Sequence, residues 1–209
     1  MEEKEKKGEN LNFASFKVTR RGFLKGIGTG AISTAVTGIP VLVPSEAEGA
    51  KIVKGVREAM VRLNVNGVDY RLKVKSHWTL LDVLRKKLGF TGTKKFCDRG
   101  SCGACTVIME GKAIYACSRL AIEADNKKIV TVEGLADGEN PHPIQQAFME
   151  NDGFQCGYCT PGFIMATKAI LDKNPHPDEA EIKEGLAGNI CRCSAYPKII
   201  QSVLALAKR

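Results

Sequence analysis

The sequence predicts a mixed α+β fold in two parts, behind an N-terminal leader. Residues 59–134 show the alternating apolar and polar pattern of strands, and the pattern turns helical after Gly134. Eight cysteines fall into two sets of four, one set in each part. We therefore expect a leader and linker over 1–50, a strand-rich domain over 59–134 and a helical domain over 135–209.

The strand-rich domain is predicted to begin with a hairpin. Residues 60–65 alternate between apolar and polar side chains, and residues 68–74 alternate in the same way. The two residues between them, Asn66-Gly67, are the pair most typical of a tight hairpin turn. The two segments are therefore expected to be antiparallel neighbours.

The rest of this domain is predicted to contain one helix, a second hairpin and a closing strand. Thr79 suits the N-cap of a helix, and Gly89 suits the position just beyond its end. A hairpin is expected over 106–109 and 112–117, and a short strand over 129–133. Hairpin, helix, cysteine loop, hairpin and closing strand is the order of the β-grasp fold of plant-type ferredoxins.

The helical domain is predicted to be a four-helix bundle. Thr160 is expected to cap the second helix, with Pro161 at its first position, and Pro177-Asp178 to open the third. Both cysteine pairs of this domain precede helices, whose free N–H groups and positive dipole end favour an anionic group. The predicted helix ranges are 143–150, 160–173, 178–188 and 198–208.

The cysteines of the strand-rich domain have the spacing C-x4-C-x2-C-x11-C: Cys97, Cys102, Cys105 and Cys117. In a plant-type ferredoxin loop of this spacing, four thiolates hold one [2Fe–2S] cluster. Gly100 and Gly103 permit positive φ angles and let backbone N–H groups approach the sulfurs. Cys117 is expected to come from the strand that follows. The pattern predicts a [2Fe–2S] site.

The cysteines of the helical domain are arranged as C-x2-C and C-x-C: Cys156, Cys159, Cys191 and Cys193. Four thiolates suit a second [2Fe–2S] cluster, but the same ligands also bind zinc tetrahedrally. Disulfides are a third interpretation, because eight is an even number and the leader indicates export. The ferredoxin-type loop in the same chain favours two iron–sulfur sites.

The N-terminal segment has the features of a twin-arginine export signal. Residues 19–25, TRRGFLK, match the twin-arginine pattern, and residues 26–44 carry no charge but are rich in glycine, serine and threonine. A small-residue cleavage site is expected near Ser45-Glu46-Ala47. We expect the twin-arginine export machinery to move the protein to the periplasm. Retention of the leader as a membrane anchor is the alternative.

Charge and composition exclude other classes of function. The formal net charge is +8, but the positive residues are scattered, with no basic helix or patch interleaved with aromatic residues. We therefore expect no nucleic-acid partner. No arrangement of residues resembles a nucleophile with its base or a carboxylate dyad, so we expect no catalytic residues and no substrate site on this chain.

Three motifs together resemble one family. In chain order they are CDRGSCGACTV over 97–107, QCGYCTPG over 155–162 and GNICRC over 188–193. They closely resemble the iron–sulfur small subunit of molybdenum hydroxylases, the xanthine dehydrogenase and aldehyde oxidoreductase family. The resemblance covers about residues 59–208, which is nearly everything after the leader.

The resemblance implies an electron-transfer subunit of a molybdenum hydroxylase, and the leader indicates that this enzyme is exported. The β-grasp cluster would lie near the surface, and the helical-domain cluster would be buried against a large subunit that carries a molybdenum pterin. By motif position, Gln155 would hydrogen-bond the pterin and Cys193 would be the cluster ligand closest to it. Electrons would leave through the β-grasp cluster to a flavin (FAD) subunit, a cytochrome or another acceptor. The expected substrates are aldehydes or N-heterocycles.

Two positions depart from the family pattern. Ser194-Ala195-Tyr196 stands where family members often have Thr-Gly-Tyr, and alanine adopts a positive φ less readily than glycine. Phe96 precedes the first cysteine, where glycine is frequent. We expect these changes to affect the fine geometry near the pterin and to leave the cluster ligands in place.

Two other functions are weighed against this one. A free-standing two-cluster ferredoxin would carry electrons without a molybdenum partner, but a diffusing carrier needs exposed clusters, whereas a helical domain suggests a docked relay. A zinc-stabilised interaction module would hold one cluster and one zinc ion.

Overall fold

The computed structural model describes Gly55 and residues 57–208, so the predicted export leader lies outside the described residues. The predicted mixed α+β fold is confirmed, with a five-stranded sheet and five helices in the described part of the chain. The strands are β1 (Glu58–Val65), β2 (Val68–Lys75), β3 (Thr106–Met109), β4 (Lys112–Tyr115) and β5 (Lys128–Val130). The helices are α1 (Leu80–Lys86), α2 (Pro143–Glu150), α3 (Thr160–Lys173), α4 (Glu179–Leu186) and α5 (Tyr196–Ala207). We call residues 57–134 the strand-rich half and residues 135–208 the helical half.

The sheet has the strand order β2-β1-β5-β3-β4. Neighbouring strands are antiparallel except for β1 and β5, which pair in parallel through Asn64 with Lys128 and Val65 with Ile129. The central strand β5 therefore joins the two hairpins, although it is the last strand in the chain. α1 lies on the sheet and buries Leu80, Leu81 and Leu84 in its core.

The first hairpin and α1 form where the sequence predicts them. Asn66 and Gly67 have φ angles of 52° and 83°, as a two-residue turn with positive φ at both positions requires. Thr79 is the N-cap of α1, and its hydroxyl accepts a hydrogen bond from the Asp82 N–H at 3.1 Å. Gly89 follows the helix with a φ of 79°. Local signals were sufficient for these elements.

Two strands are shorter than predicted, and each ends where the next residue hydrogen-bonds to another part of the chain. β4 ends at Tyr115, and Cys117 lies in a 3-10 turn, so the prediction that a strand carries Cys117 was wrong. The turn begins where the Ala116 N–H donates to the Cys105 carbonyl at 3.2 Å. β5 ends at Val130, because the Thr131 N–H pairs with the Asn66 side chain at 2.9 Å.

The helical half contains four helices that pack around a core of large apolar side chains, which include Phe148, Phe163, Ile182 and Ile199. α4 begins as predicted, because Asp178 and Glu181 form a capping box. The prediction that Thr160 caps α3 was wrong. Cys159 is the N-cap, and the Thr160 hydroxyl is buried without a hydrogen-bond partner in the part of the chain that the structure describes.

The two halves meet where α3 begins. α3 packs against β3, and a Cβ atom added at Gly162 would overlap the carbonyl oxygen of Gly103 and lie 3.0 Å from the Ala104 Cα. Both obstacles are backbone atoms, which cannot rotate aside as a side chain does. Only glycine at position 162 therefore allows the start of α3 to approach the first cysteine loop this closely.

None of the helices in residues 55 and 57–208 is long and apolar enough to cross a membrane.

Gly162→Ala is expected to destabilise the protein by about 1–3 kcal/mol, because the new methyl group meets backbone atoms in a packed junction. Gly185→Ala in α4 is the matched control, since its methyl group would meet only the flexible end of Ile170. Alanine also favours a helix over glycine by up to about 1 kcal/mol in both cases. Thermal unfolding followed by circular dichroism compares the two. Equal melting temperatures for both variants would contradict the tight junction.

Candidate metal centres

The first cysteine loop has three residues with left-handed backbone. Asp98, Gly100 and Gly103 have φ angles of 55°, 73° and 68°. The two glycines were predicted to adopt this conformation, whereas nothing singled out Asp98. Cys97 is half-buried at the start of the loop. The other three thiols of this set are buried: Cys102, Cys105 and Cys117.

Backbone N–H groups of this loop point at its sulfurs. The Gly100 N–H donates to Cys117 Sγ at 3.2 Å, and the Ser101 N–H donates to Cys97 Sγ at 3.3 Å. Such donors stabilise negative charge on a thiolate or on a cluster, and they tune its potential. The N–H groups of this loop therefore favour an anionic group bound by the four sulfurs.

Burial and hydrogen bonds act in opposite directions on the thiols. Burial raises the pKa of Cys97, but the N–H groups of Arg99 and Ser101 outweigh it and bring the pKa down to about 7. Burial raises the pKa of Cys105 to about 12, and it does the same for Cys159 in the helical half. Because metals bind thiolates, these two thiols would have to release protons to hold a metal or cluster.

The helical half places its four thiols before α3 and α5. Cys156 is exposed, Cys159 and Cys193 are half-buried, and Cys191 is buried. In this chain by itself, the second set is therefore more open to solvent than the first. Gln155, predicted to contact the pterin, is also exposed, and it directly precedes the exposed Cys156 in the chain.

The backbone of the last motif differs from expectation. Ser194 has a φ of 60°, whereas Ala195 has a φ of −74° and is buried. The concern that Ala195 must adopt a positive φ was wrong, because the turn places the left-handed residue one position earlier. The Ala195 N–H donates to Cys191 Sγ at 3.4 Å, and the Cys191 N–H donates to the Tyr196 hydroxyl at 2.9 Å.

The thiols interact mainly in pairs: Cys97 with Cys102, Cys105 with Cys117, Cys156 with Cys193, and Cys159 with Cys191. A [2Fe–2S] cluster takes two thiolates on each iron, so two pairs fit one cluster. Zinc would draw all four sulfurs around a single point. All eight cysteines are free thiols, which disagrees with the disulfide interpretation.

The two cysteine loops contact each other directly. The Ile190 N–H donates to the Cys102 carbonyl at 2.9 Å, and the Asn189 side-chain amide donates to the Gly103 carbonyl at 3.0 Å. Ile190 and Cys191 are consecutive, so one hydrogen bond joins the backbone of a cysteine of the first set to the residue before a cysteine of the second. The sequence carried no signal for this contact, because the partners are distant in the chain.

A second link between the loops lies at the surface. The Tyr158 hydroxyl donates to the Lys95 carbonyl at 2.6 Å, and its ring packs edge-on against Phe96 with centroids 5.9 Å apart. The Lys95 ammonium group is paired with Asp98 at 2.8 Å and with Asp82 at 3.4 Å. Phe96 remains 69% exposed. Phe96, at a position where family members often have glycine, thus places an exposed ring beside both cysteine loops.

Two family models match the described part of the chain. A model described as a 2Fe-2S iron-sulfur cluster binding domain matches residues 63–135, and a [2Fe-2S] binding domain matches residues 131–204. The fold and the paired thiols thus define an iron–sulfur protein with two [2Fe–2S]-binding domains.

Relatives identify the family. The chain is 44% identical to the nicotinate dehydrogenase small FeS subunit of Eubacterium barkeri, over 71% of this chain and 95% of that protein. It is 38% identical to the aldehyde oxidoreductase iron-sulfur-binding subunit PaoA of Escherichia coli K12, over 89% of this chain and 86% of that protein. A chain of quinoline 2-oxidoreductase from Pseudomonas putida 86 superposes with a TM-score of 0.70 at 36% identity, over 73% of this chain and 96% of that chain.

This protein belongs to the family of small iron–sulfur subunits of molybdenum hydroxylases. It is therefore part of an oxidoreductase, and its cofactors are [2Fe–2S] clusters. The recognition of this family from its three motifs is confirmed.

Thiol reactivity of the iron-free chain is expected to follow burial and hydrogen bonding. Iodoacetamide should modify Cys97 well before Cys105 and Cys159, because only the thiolate reacts. The Cys97 rate should rise between about pH 6 and 8, as pH passes its pKa of about 7. Peptide mapping by mass spectrometry gives the rates, with circular dichroism to show that the iron-free chain stays folded. Equal rates at all three thiols would contradict the assigned environments.

Proposed function

We propose that this chain relays electrons from a molybdenum pterin in a large partner subunit to an acceptor. When bound, each [2Fe–2S] cluster takes up and releases one electron at a time. The direct contact between the two cysteine loops carries the proposal. A relay needs its two sites close together, and the Ile190–Cys102 hydrogen bond joins them through the protein backbone.

Each set of four thiols would hold one cluster. We propose that Cys97, Cys102, Cys105 and Cys117 bind the first, and that Cys156, Cys159, Cys191 and Cys193 bind the second. The strand-rich half would be the β-grasp ferredoxin domain over 59–134, and the helical half would be the four-helix-bundle domain over 135–209. Paired thiols and inward N–H donors support this assignment.

The open side of the second set would face the large subunit. Four partly exposed aromatic or aliphatic side chains lie near its cysteines in the sequence: Phe154, Tyr158, Ile190 and Tyr196. Interfaces are enriched in such aromatic residues. Here Gln155 would hydrogen-bond the pterin, and Cys193 would be the closest cluster ligand. The exposure of Cys156 supports this orientation, because a partner would cover it.

The acceptor would approach the first set, at the edge where Cys97 is half-buried. Arg99 and Arg119 are exposed, and each follows a cysteine of this set by two residues in the sequence. The acceptor would be a flavin subunit, a cytochrome or another carrier. The names of the relatives include nicotinate dehydrogenase and aldehyde oxidoreductase, which supports an N-heterocycle or an aldehyde as the substrate of the complex.

Export by the twin-arginine route is part of the proposal. The alignment with the Escherichia coli subunit covers 89% of this chain, which is more than residues 57–209 supply, so it extends into the leader. The protein would act in the periplasm, or at the membrane if the leader is kept.

Metal analysis of the chain from separated periplasmic and cytoplasmic fractions of its host tests the proposal. We expect about four irons per chain, accompanied by molybdenum and a large co-purifying subunit, in the periplasmic fraction. Four irons without molybdenum or a partner would instead establish a free carrier. Two irons and one zinc would establish the interaction module, and a purely cytoplasmic complex would overturn export.

The ligand assignment predicts that Cys102→Ser and Cys159→Ser each lower the iron content by about half. Electron paramagnetic resonance of the reduced protein should lose a different one of its two signals in each variant. Ser101→Ala is the control, since this exposed neighbour of Cys102 should leave both signals in place. Two intact signals in either cysteine variant would show that the thiol concerned is not a ligand.

A further inference from the structure

The Gly103 carbonyl in the first cysteine loop accepts three hydrogen bonds. Two come from Thr106, whose N–H lies at 3.1 Å and whose hydroxyl lies at 2.6 Å. The third comes from the Asn189 side-chain amide of the helical half, at 3.0 Å. Most carbonyl groups accept one or two bonds, so this peptide group is strongly polarised.

The surroundings keep this carbonyl in one orientation. Asn189 is only 5% exposed and Gly103 is buried, so water does not compete for the bond. A Cβ atom at Gly103 would lie 2.6 Å from the Asn189 amide, and Gly162 of α3 packs against the same carbonyl. The Asn189 bond therefore forms in a water-poor space, where hydrogen bonds are electrostatically stronger.

The other end of this peptide group lies between two of the proposed cluster ligands. The Gly103 carbonyl and the Ala104 N–H belong to one planar peptide unit and point in opposite directions. The Ala104 N–H lies between Cys102 and Cys105, in the loop whose Gly100 and Ser101 N–H groups donate to cysteine sulfurs. Polarising the carbonyl makes the N–H a better donor, because hydrogen bonds in a chain strengthen one another.

We propose that Asn189 is a positioning residue that raises the reduction potential of the cluster in the strand-rich half. It lies in the helical half, two residues before Cys191, and acts on the other cluster through the Gly103–Ala104 peptide. The inference rests on the proposed function, because it requires both clusters in this chain. Reduction adds one electron and forms or breaks no covalent bond, so a stronger N–H donor to sulfur stabilises the reduced state.

The proposal gives the contact between the loops a function beyond packing. An electron moves downhill to the strand-rich half only when the potential there is the higher one. Asn189 raises that potential when the two halves are correctly docked, since its amide reaches Gly103 from the helical half. Docking and the direction of electron flow are thereby linked by one side chain.

Asn189→Ala tests the proposal in the full chain loaded with both clusters. Midpoint potentials of both clusters are measured by a redox titration followed by electron paramagnetic resonance, with the signals assigned through Cys102→Ser and Cys159→Ser. Asn151→Ala is the matched control, because it removes an asparagine amide bonded to a backbone carbonyl (Ala147, 2.8 Å) that is not in a cysteine loop. Thr106→Val removes another donor to Gly103 from within the strand-rich half.

We expect Asn189→Ala to lower the reduction equilibrium constant of the strand-rich cluster by up to about tenfold, which is about 59 mV for one electron. Thr106→Val should shift the same cluster in the same direction, and Asn151→Ala should shift neither. If Asn189→Ala does not fold, Asn189→Asp keeps the side-chain volume, replaces the donor with an acceptor, and should lower the potential further.

An unchanged potential of the strand-rich cluster in the Asn189 variant would overturn the inference. Equal shifts of both clusters, or an equal shift in Asn151→Ala, would overturn it too, because they would indicate general loosening. These outcomes leave the proposed function intact. Absence of one of the two cluster signals from the unmodified chain would overturn the proposed function itself.

Discussion

The contact between the first cysteine loop and the start of α3 is the constraint on which the rest of the structure depends. Gly103 and Gly162 bring two backbones together with no side chain between them, and Asn189 fills the remaining space with a hydrogen bond. Because this contact positions Cys159 at the beginning of α3 and Cys191 after Ile190, it places the second set of thiols relative to the first. A shift of either loop would move thiols of both sets.

The two thiol sets differ in how much of each the chain itself covers. The first set has three buried thiols and the half-buried Cys97, whereas the second has the exposed Cys156 and only one buried thiol, Cys191. This difference matches a chain that supplies a complete environment for one cluster and shares the environment of the other with a partner. The exposed aromatic residues lie near the open set, where a partner would exclude water. Solvent exposure thus distinguishes the two ends of the proposed relay.

Local signals in the sequence were sufficient for several turns and helix caps. The Asn66-Gly67 turn, the Thr79 cap, the Asp178 capping box and the positive φ of Gly100 and Gly103 follow from short-range chemistry. One error arose where a distant partner decides: β5 ends early because the Thr131 N–H pairs with the Asn66 side chain. Two errors were local, since Cys159 rather than Thr160 is the N-cap of α3, and Ser194 rather than Ala195 has the left-handed backbone. The roles of Asn189 and Tyr158 also depend on contacts across the chain, which no spacing reveals.

The parallel pairing of β1 with β5 has a consequence for biosynthesis. The hairpin of β1 and β2 forms from adjacent residues. β1 cannot pair with β5, its other neighbour in the sheet, until Lys128 and Ile129 have left the ribosome. The carbonyls of Cys102 and Gly103 gain their hydrogen bonds from the helical half later still, after Asn189 and Ile190 have been made. The first cysteine loop therefore gains these stabilising contacts only after nearly the whole chain has been made.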